Sequence, residues 1–270
     1  MMALAYSNKI KGKIQVFILS FIYYITTYLI ILFINRYATL FIAADFGIKT
    51  IIRHGDIIFI TLPSSSLWTR DAILSISMAG HVICLLTGIC VIAFYNFHKL
   101  TRIPYAGVWI CFHAFNFALG AILYKLAIGT GIPAGALHLG TPVKIVVALA
   151  SVYFLGKSGY YFAPAFCLTP AYCSCNRQKE YLFAVILPWI TGSTILLPIV
   201  HGSIKIEGVL SFLSLLFFIV PVFWRMKKYK QKVFLPKFSH MQLLAWCAVA
   251  FILISFIALY ISAISVFLPK

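Results

Sequence analysis

From Ile14 to Ile34 the chain carries no charged side chain, and most of the residues between are large and apolar. At about 1.5 Å of rise per residue, roughly 20 such residues in an α-helix cross the ~30 Å hydrocarbon core of a bilayer. A backbone in hydrocarbon has no water to bond to, so a helix, which bonds to itself, is the form such a run takes. The pattern recurs along the chain. The predicted spans are Ile14–Ile34, Ala72–Tyr95, Pro104–Tyr124, Val143–Phe166, Tyr181–Val200, Glu207–Trp224 and Met241–Leu268. Lys157, Gly159 and Pro164 make the fourth the weakest, and a further apolar piece, Tyr37–Phe46, follows Arg36. Ile14–Ile34 is also too long for the apolar region of a cleaved signal, so it reads as a retained first span.

Composition agrees. Apolar residues are 63% of the chain and charged ones 10%, against about 25% charged for a soluble domain, and one aqueous core could not hide that much apolar surface. The expected fold is all-α: a polytopic transmembrane bundle of about seven spans forming one integral domain over residues 1–270. A short surface strand or hairpin is expected between spans one and two. It is suggested by the β-rich run Asp56–Leu62 and the turn residues Pro63–Ser66.

Lys and Arg number 22 against five acids. In a soluble protein this excess would suggest nucleic acid, but here the basic residues sit at the ends of apolar spans. There they set topology and attract anionic lipid, so no nucleic-acid partner is expected. With the N-terminus inside, inner segments carry thirteen basic residues and outer segments seven, leaving out Arg36 and Lys157. The positive-inside rule then places the N-terminus in the cytoplasm and the C-terminus outside, in a cell (inner) membrane. The run Arg225, Lys227, Lys228, Lys230 and Lys232 is the expected contact with anionic lipids at the cytoplasmic face.

Polar groups inside the spans are candidates for function, because hydrocarbon makes them costly. His81 in the second span, and His113 and Asn116 in the third, fall within about 5 Å of one depth if those spans are antiparallel neighbours. One reading is a buried site between the helices, with His81 and His113 holding haem or a metal, or relaying a proton. The other is that both histidines hydrogen-bond across the helix interface and hold the bundle together. A catalytic zinc usually needs three protein ligands, and no carboxylate lies nearby, so no cofactor is predicted. Lys157 reads as a snorkelling side chain.

Residues 129–142, which include His138, hold four glycines and two prolines and cannot make a good helix. They form either a re-entrant loop lining a cavity or an ordinary outer loop on the interface. With His138, His81, His113, Asn116 and Lys157 complete the substrate-path candidates. The seven cysteines lack a C-x-x-C spacing and imply neither a zinc site nor a disulfide framework. There is no H-E-x-x-H, no mid-span carboxylate and no framed serine nucleophile, so no catalytic residue is assigned.

Two resemblances rest on short motifs. Ala43-Ala44-Asp45-Phe46-Gly47-Ile48-Lys49, Leu67-Trp68-Thr69, Ile73–Gly80, Phe112–Phe117 and Pro188–Gly192 follow an order similar to that of uncharacterised multi-spanning membrane proteins from Bacteroidetes-type bacteria. Residues 37–88 also resemble the core of site-2-protease-like membrane metallopeptidases, through Gly47-Ile48-Lys49 and Ala79-Gly80. In that family a zinc-binding H-E-x-x-H helix precedes these motifs. Here Asn35, Arg36, Tyr37 and Ala38 stand in its place, and His81 stands where proline is expected. The resemblance implies a non-catalytic relative without zinc.

The expected function is therefore that of a non-enzymatic membrane protein, structural or assembling with other membrane proteins. The alternatives are a carrier or channel for a small or lipid-like substrate, and a haem or metal protein. Alkaline carbonate washing and ultracentrifugation should leave the chain in the membrane pellet; recovery in the detergent-free supernatant would refute the bilayer reading.

Overall fold

The computed structural model describes residues 2–53, 56–97, 105–123, 141–166, 168–170, 181–201, 206–228 and 233–235. Helix α1 (Met2–Asp45) leads into a hairpin of β1 (Thr50–Arg53) and β2 (Asp56–Phe59), and then into α2 (Arg70–Phe97). Helix α3 (Tyr105–Phe115) continues through a π-helical turn, Asn116–Gly120, and α4 (Thr141–Phe166) precedes strand β3 (Leu168–Pro170). A second π-turn, Leu182–Ile186, opens α5 (Leu187–His201); α6 (Ile206–Leu213), α7 (Leu216–Lys228) and β4 (Val233–Leu235) follow. Among the described residues, five helical stretches are long and apolar enough to cross a membrane. These are Val16–Asp45, Arg70–Phe94, Ala106–Leu123, Thr141–Ala163 and Gly208–Met226, and Leu182–Pro198 is a shorter apolar helix. The expected seventh span, Met241–Leu268, lies outside the described residues, as do His138 and the Gly-rich segment.

The first span departs from the sequence reading. The first helix does not stop near Ile34: α1 runs through Arg36 to Asp45 without a break. Neither Asn35 nor Arg36 breaks a helix, and propensity alone gives no reason to end it there. At 44 residues it is roughly 66 Å long, about twice a hydrocarbon core. It ends where Gly47 takes a left-handed conformation, φ 69°, while the Ile48 N–H returns to the Ala43 carbonyl at 2.9 Å. The expected fourth span, Val143–Phe166, is present as α4, with Lys157 and Gly159 inside one unbroken helix.

The expected hairpin is present, antiparallel from Thr50↔Phe59 to Arg53↔Asp56. Phe59 and Trp68 pack edge to face, with ring centroids 5.2 Å apart, over Ala43, Ile48, Ala72 and Ile76 where α1 and α2 meet. A second pair, β3 with β4, is parallel and has no counterpart in the sequence reading.

Contacts fix the helix directions. Cys84 lies opposite Ile31 and Asn35 while Ala72 packs with Ala43, so α2 runs against α1. Ser20 meets Trp109 and Tyr24 meets His113, so α3 runs with α1. Tyr181 bonds the Ile219 carbonyl and Trp189 the Phe212 carbonyl, so α5 opposes α6 and α7. Gly156 lies beside Phe217 and Pro221 while Tyr160 meets Arg225, so α4 and α7 are parallel. Strands β3 and β4, which follow these two helices, accordingly pair in parallel. Strict alternation of direction is what successive membrane crossings require.

The core lies between α1, α3, α4, α5 and α7, around Tyr24, Leu29, Trp109, Phe112, Phe162 and Phe218. Helices α2 and α4 turn large apolar side chains outward, including Leu86, Ile89, Phe94, Val146, Leu149 and Phe154. Lipid gives helices no hydrophobic reason to associate, so close backbone approach through small residues carries the packing. A methyl group added at Gly159 would fall on the Phe218 carbonyl, one at Gly80 on Asn35, and one at Gly192 on the Tyr24 ring. The backbone carbonyl cannot swing away as a side chain can. Gly159→Val is expected to destabilise the bundle by about 1–3 kcal/mol, the usual range for overpacking. A lowered melting temperature in detergent should report it, and wild-type stability would contradict the described α4–α7 contact.

Candidate functional site

The predicted polar residues fall at the junction of α2, α3 and the α6–α7 turn, and irregular backbone brings them into use. In the π-turn the Ala121 N–H reaches back five residues to the Asn116 carbonyl, where an α-helix would use Phe117. Half-buried His81, on α2, lies against the Phe117 carbonyl, with Nδ1 at 2.7 Å. A carbonyl only accepts, so His81 is the tautomer with its proton on Nδ1.

A second irregular turn faces the first. At Ser214–Leu215 the Leu215 N–H bonds the Phe212 carbonyl at 3.3 Å, three residues back. The α-helical acceptor would have been Ser211. That carbonyl instead accepts from Asn116 Nδ2 at 2.9 Å, and from Ser214 Oγ at 2.6 Å. Ser214 Oγ also lies 2.7 Å from Asn116 Oδ1 and can donate there. Asn116 is buried and on α3, so its amide joins two helices at the point where one of them breaks. Gly120 makes room for it: a methyl group there would meet Asn116 Oδ1 and Ser214 Oγ.

His113 lies one turn before Asn116 and is wholly buried. Its Nε2 donates to the Tyr24 carbonyl on α1 at 3.0 Å, so it is the opposite tautomer to His81. The rings of Tyr24, Tyr28, Trp109 and Phe112 surround it at centroid distances of 4.6, 5.3, 6.0 and 5.8 Å. Among the described residues its Nδ1, an acceptor only, has no partner. His81 and His113 thus each cross to a neighbouring helix, but to different ones. No group of three His, Cys, Asp or Glu side chains suited to a metal occurs among the described residues.

The sequence reading did not single out several polar residues beside this site. Ser20 donates to the Ala184 carbonyl at 2.5 Å and accepts from Trp109 Nε1 at 3.0 Å. The Tyr24 hydroxyl shares a 2.7 Å hydrogen bond with Ser193. Asn35 donates to Cys84 Sγ at 3.6 Å. Serine is common at helix interfaces, and only partner positions in space mark these ones. The other named candidates stand apart: Lys157 is exposed on α4, and Arg225 on α7 donates to the Tyr160 carbonyl at 2.5 Å. Lys227 and Lys228 end α7, while Lys230 and Lys232 lie outside the described residues.

Asn116→Leu should cost about 1–3 kcal/mol, because it leaves the released Ser211 carbonyl one donor short in a buried place. The lower end is expected, since polar contacts between membrane helices average about 0.6 kcal/mol. Gly120→Ala should be destabilising as well. Thermal unfolding in detergent measures both, and two wild-type melting temperatures would disprove the junction. No described protein family, curated protein or solved structure matches the chain.

Proposed function

We propose that this chain is a multi-pass inner-membrane protein that acts without catalysis, as a structural or assembly component or a partner subunit for other membrane proteins. One observation carries the reading. His81 and Asn116, the strongest polar candidates beside His113, are engaged with backbone carbonyls that irregular turns withdraw from the usual helical bonds. Groups used in this way hold a bundle together. The N-terminus is cytoplasmic in this reading, and the basic end of α7 meets anionic lipid. The resemblance to a metallopeptidase-like scaffold without its zinc ligands fits this role: Asn35 stands in the expected motif and donates to Cys84 Sγ. Purification in mild detergent should recover a second membrane protein in fixed stoichiometry. A monodisperse chain with nothing accompanying it would argue against this role.

A carrier for a small or lipid-like substrate is the second reading, favoured by one specific observation. Two irregular turns, in α3 and between α6 and α7, meet at Asn116, and discontinuous helices often mark substrate sites in transporters. In proteoliposomes the double variant His81→Ala, Asn116→Ala would then lower flux of the carried solute. Flux unchanged by the pair would remove this reading.

A further inference from the structure

Lys157 is exposed on α4, in a helix whose outward face is otherwise apolar and aromatic: Val146, Leu149, Tyr153, Phe154, Tyr160 and Tyr161. It lies three and four residues before Tyr160 and Tyr161, on the same side of the helix. Arg225 reaches this place from α7, its guanidinium 4.4 Å from the centre of the Tyr160 ring and bonded to the Tyr160 carbonyl. Trp224, beside it in sequence, is 60% exposed. Neither α4 nor α7 contains an acidic residue.

Tyrosine and tryptophan gather where acyl chains give way to headgroups. A lysine and a ring-stacked arginine at that level form a cationic patch on two helices that themselves contribute no carboxylate. We propose that Lys157 and Arg225, framed by Tyr160, Tyr161 and Trp224, bind the phosphate of an anionic lipid in the leaflet facing the C-terminal ends of α4 and α7. Arg225 is fixed by its bond and its ring contact, and Lys157 supplies the mobile charge. Two cations within one helical turn of Tyr160, one by sequence spacing and one by contact, favour a phosphate held beside the helices over a diffuse attraction to the membrane surface. The site rests on the membrane reading and narrows the lipid contact proposed for the end of α7 to a particular pair of helices.

The full-length protein, in detergent, is titrated with phosphatidylglycerol, phosphatidic acid and phosphatidylcholine, and lipid-bound species are counted by native mass spectrometry. The two anionic lipids should bind ahead of phosphatidylcholine. Lys157→Gln should weaken that binding roughly fivefold, the scale of one basic residue at an anionic surface. Because Lys157 is exposed, this variant keeps the fold even where Arg225→Gln does not. Anionic binding undiminished in Lys157→Gln overturns the site while leaving a general attraction to the α7 end intact. No preference for anionic lipid in wild type overturns both. Displacement of the lipid by inorganic phosphate at equal concentration would assign the patch to a free anion, against the proposal.

Discussion

Hydrocarbon offers no solvent to a backbone carbonyl, and the rest of this structure follows from that constraint. A regular helix meets it unaided. Where α3 widens into a π-turn and α6 gives way to α7, carbonyls at Phe117 and Ser211 leave the regular pattern, and each acquires a side-chain donor from another helix. Irregularity and polarity are therefore coupled here. The donors would be a liability in lipid without the acceptors, and the acceptors would be one without the donors.

Packing obeys a related logic. With lipid as apolar as leucine, helices gain little by burying apolar surface against one another, so contact quality decides. Glycines at positions 80, 156, 159 and 192 let helices touch through backbone or ring faces. Aromatic rings fill the larger gaps, as where Phe112 meets Phe218 edge to face at 4.3 Å. Helix α1 is the axis of this arrangement: its buried residues from Val16 to Ala43 contact α2, α3 and α5 in turn.

Much of this was legible in the sequence, and the reasons differ by level. Long apolar runs gave the spans that fall among the described residues, because the bilayer sets their length, and the Asp56–Leu62 run gave the hairpin. Helix ends were harder: Arg36 resembles a boundary by charge, yet its backbone has no reason to leave the helix. His81, His113 and Asn116 could be named as polar groups at one depth. Their acceptors could not, because Ser211 and Phe117 matter through carbonyl oxygens that every residue has, and a π-turn leaves no composition signal. Parallel pairing of β3 with β4 joins residues far apart in sequence, and nothing local foretells it.

The parallel strands have one more consequence. Helices α4 and α7 touch through Gly156 and Gly159, are joined by Arg225, and are clasped beyond their C-terminal ends by Leu168–Pro170 against Val233–Leu235. Fastened at both places, the two helices are held as one unit. The start of α7 lies next to the seam where Asn116 meets the α6–α7 turn, so α4 is tied to that seam through α7.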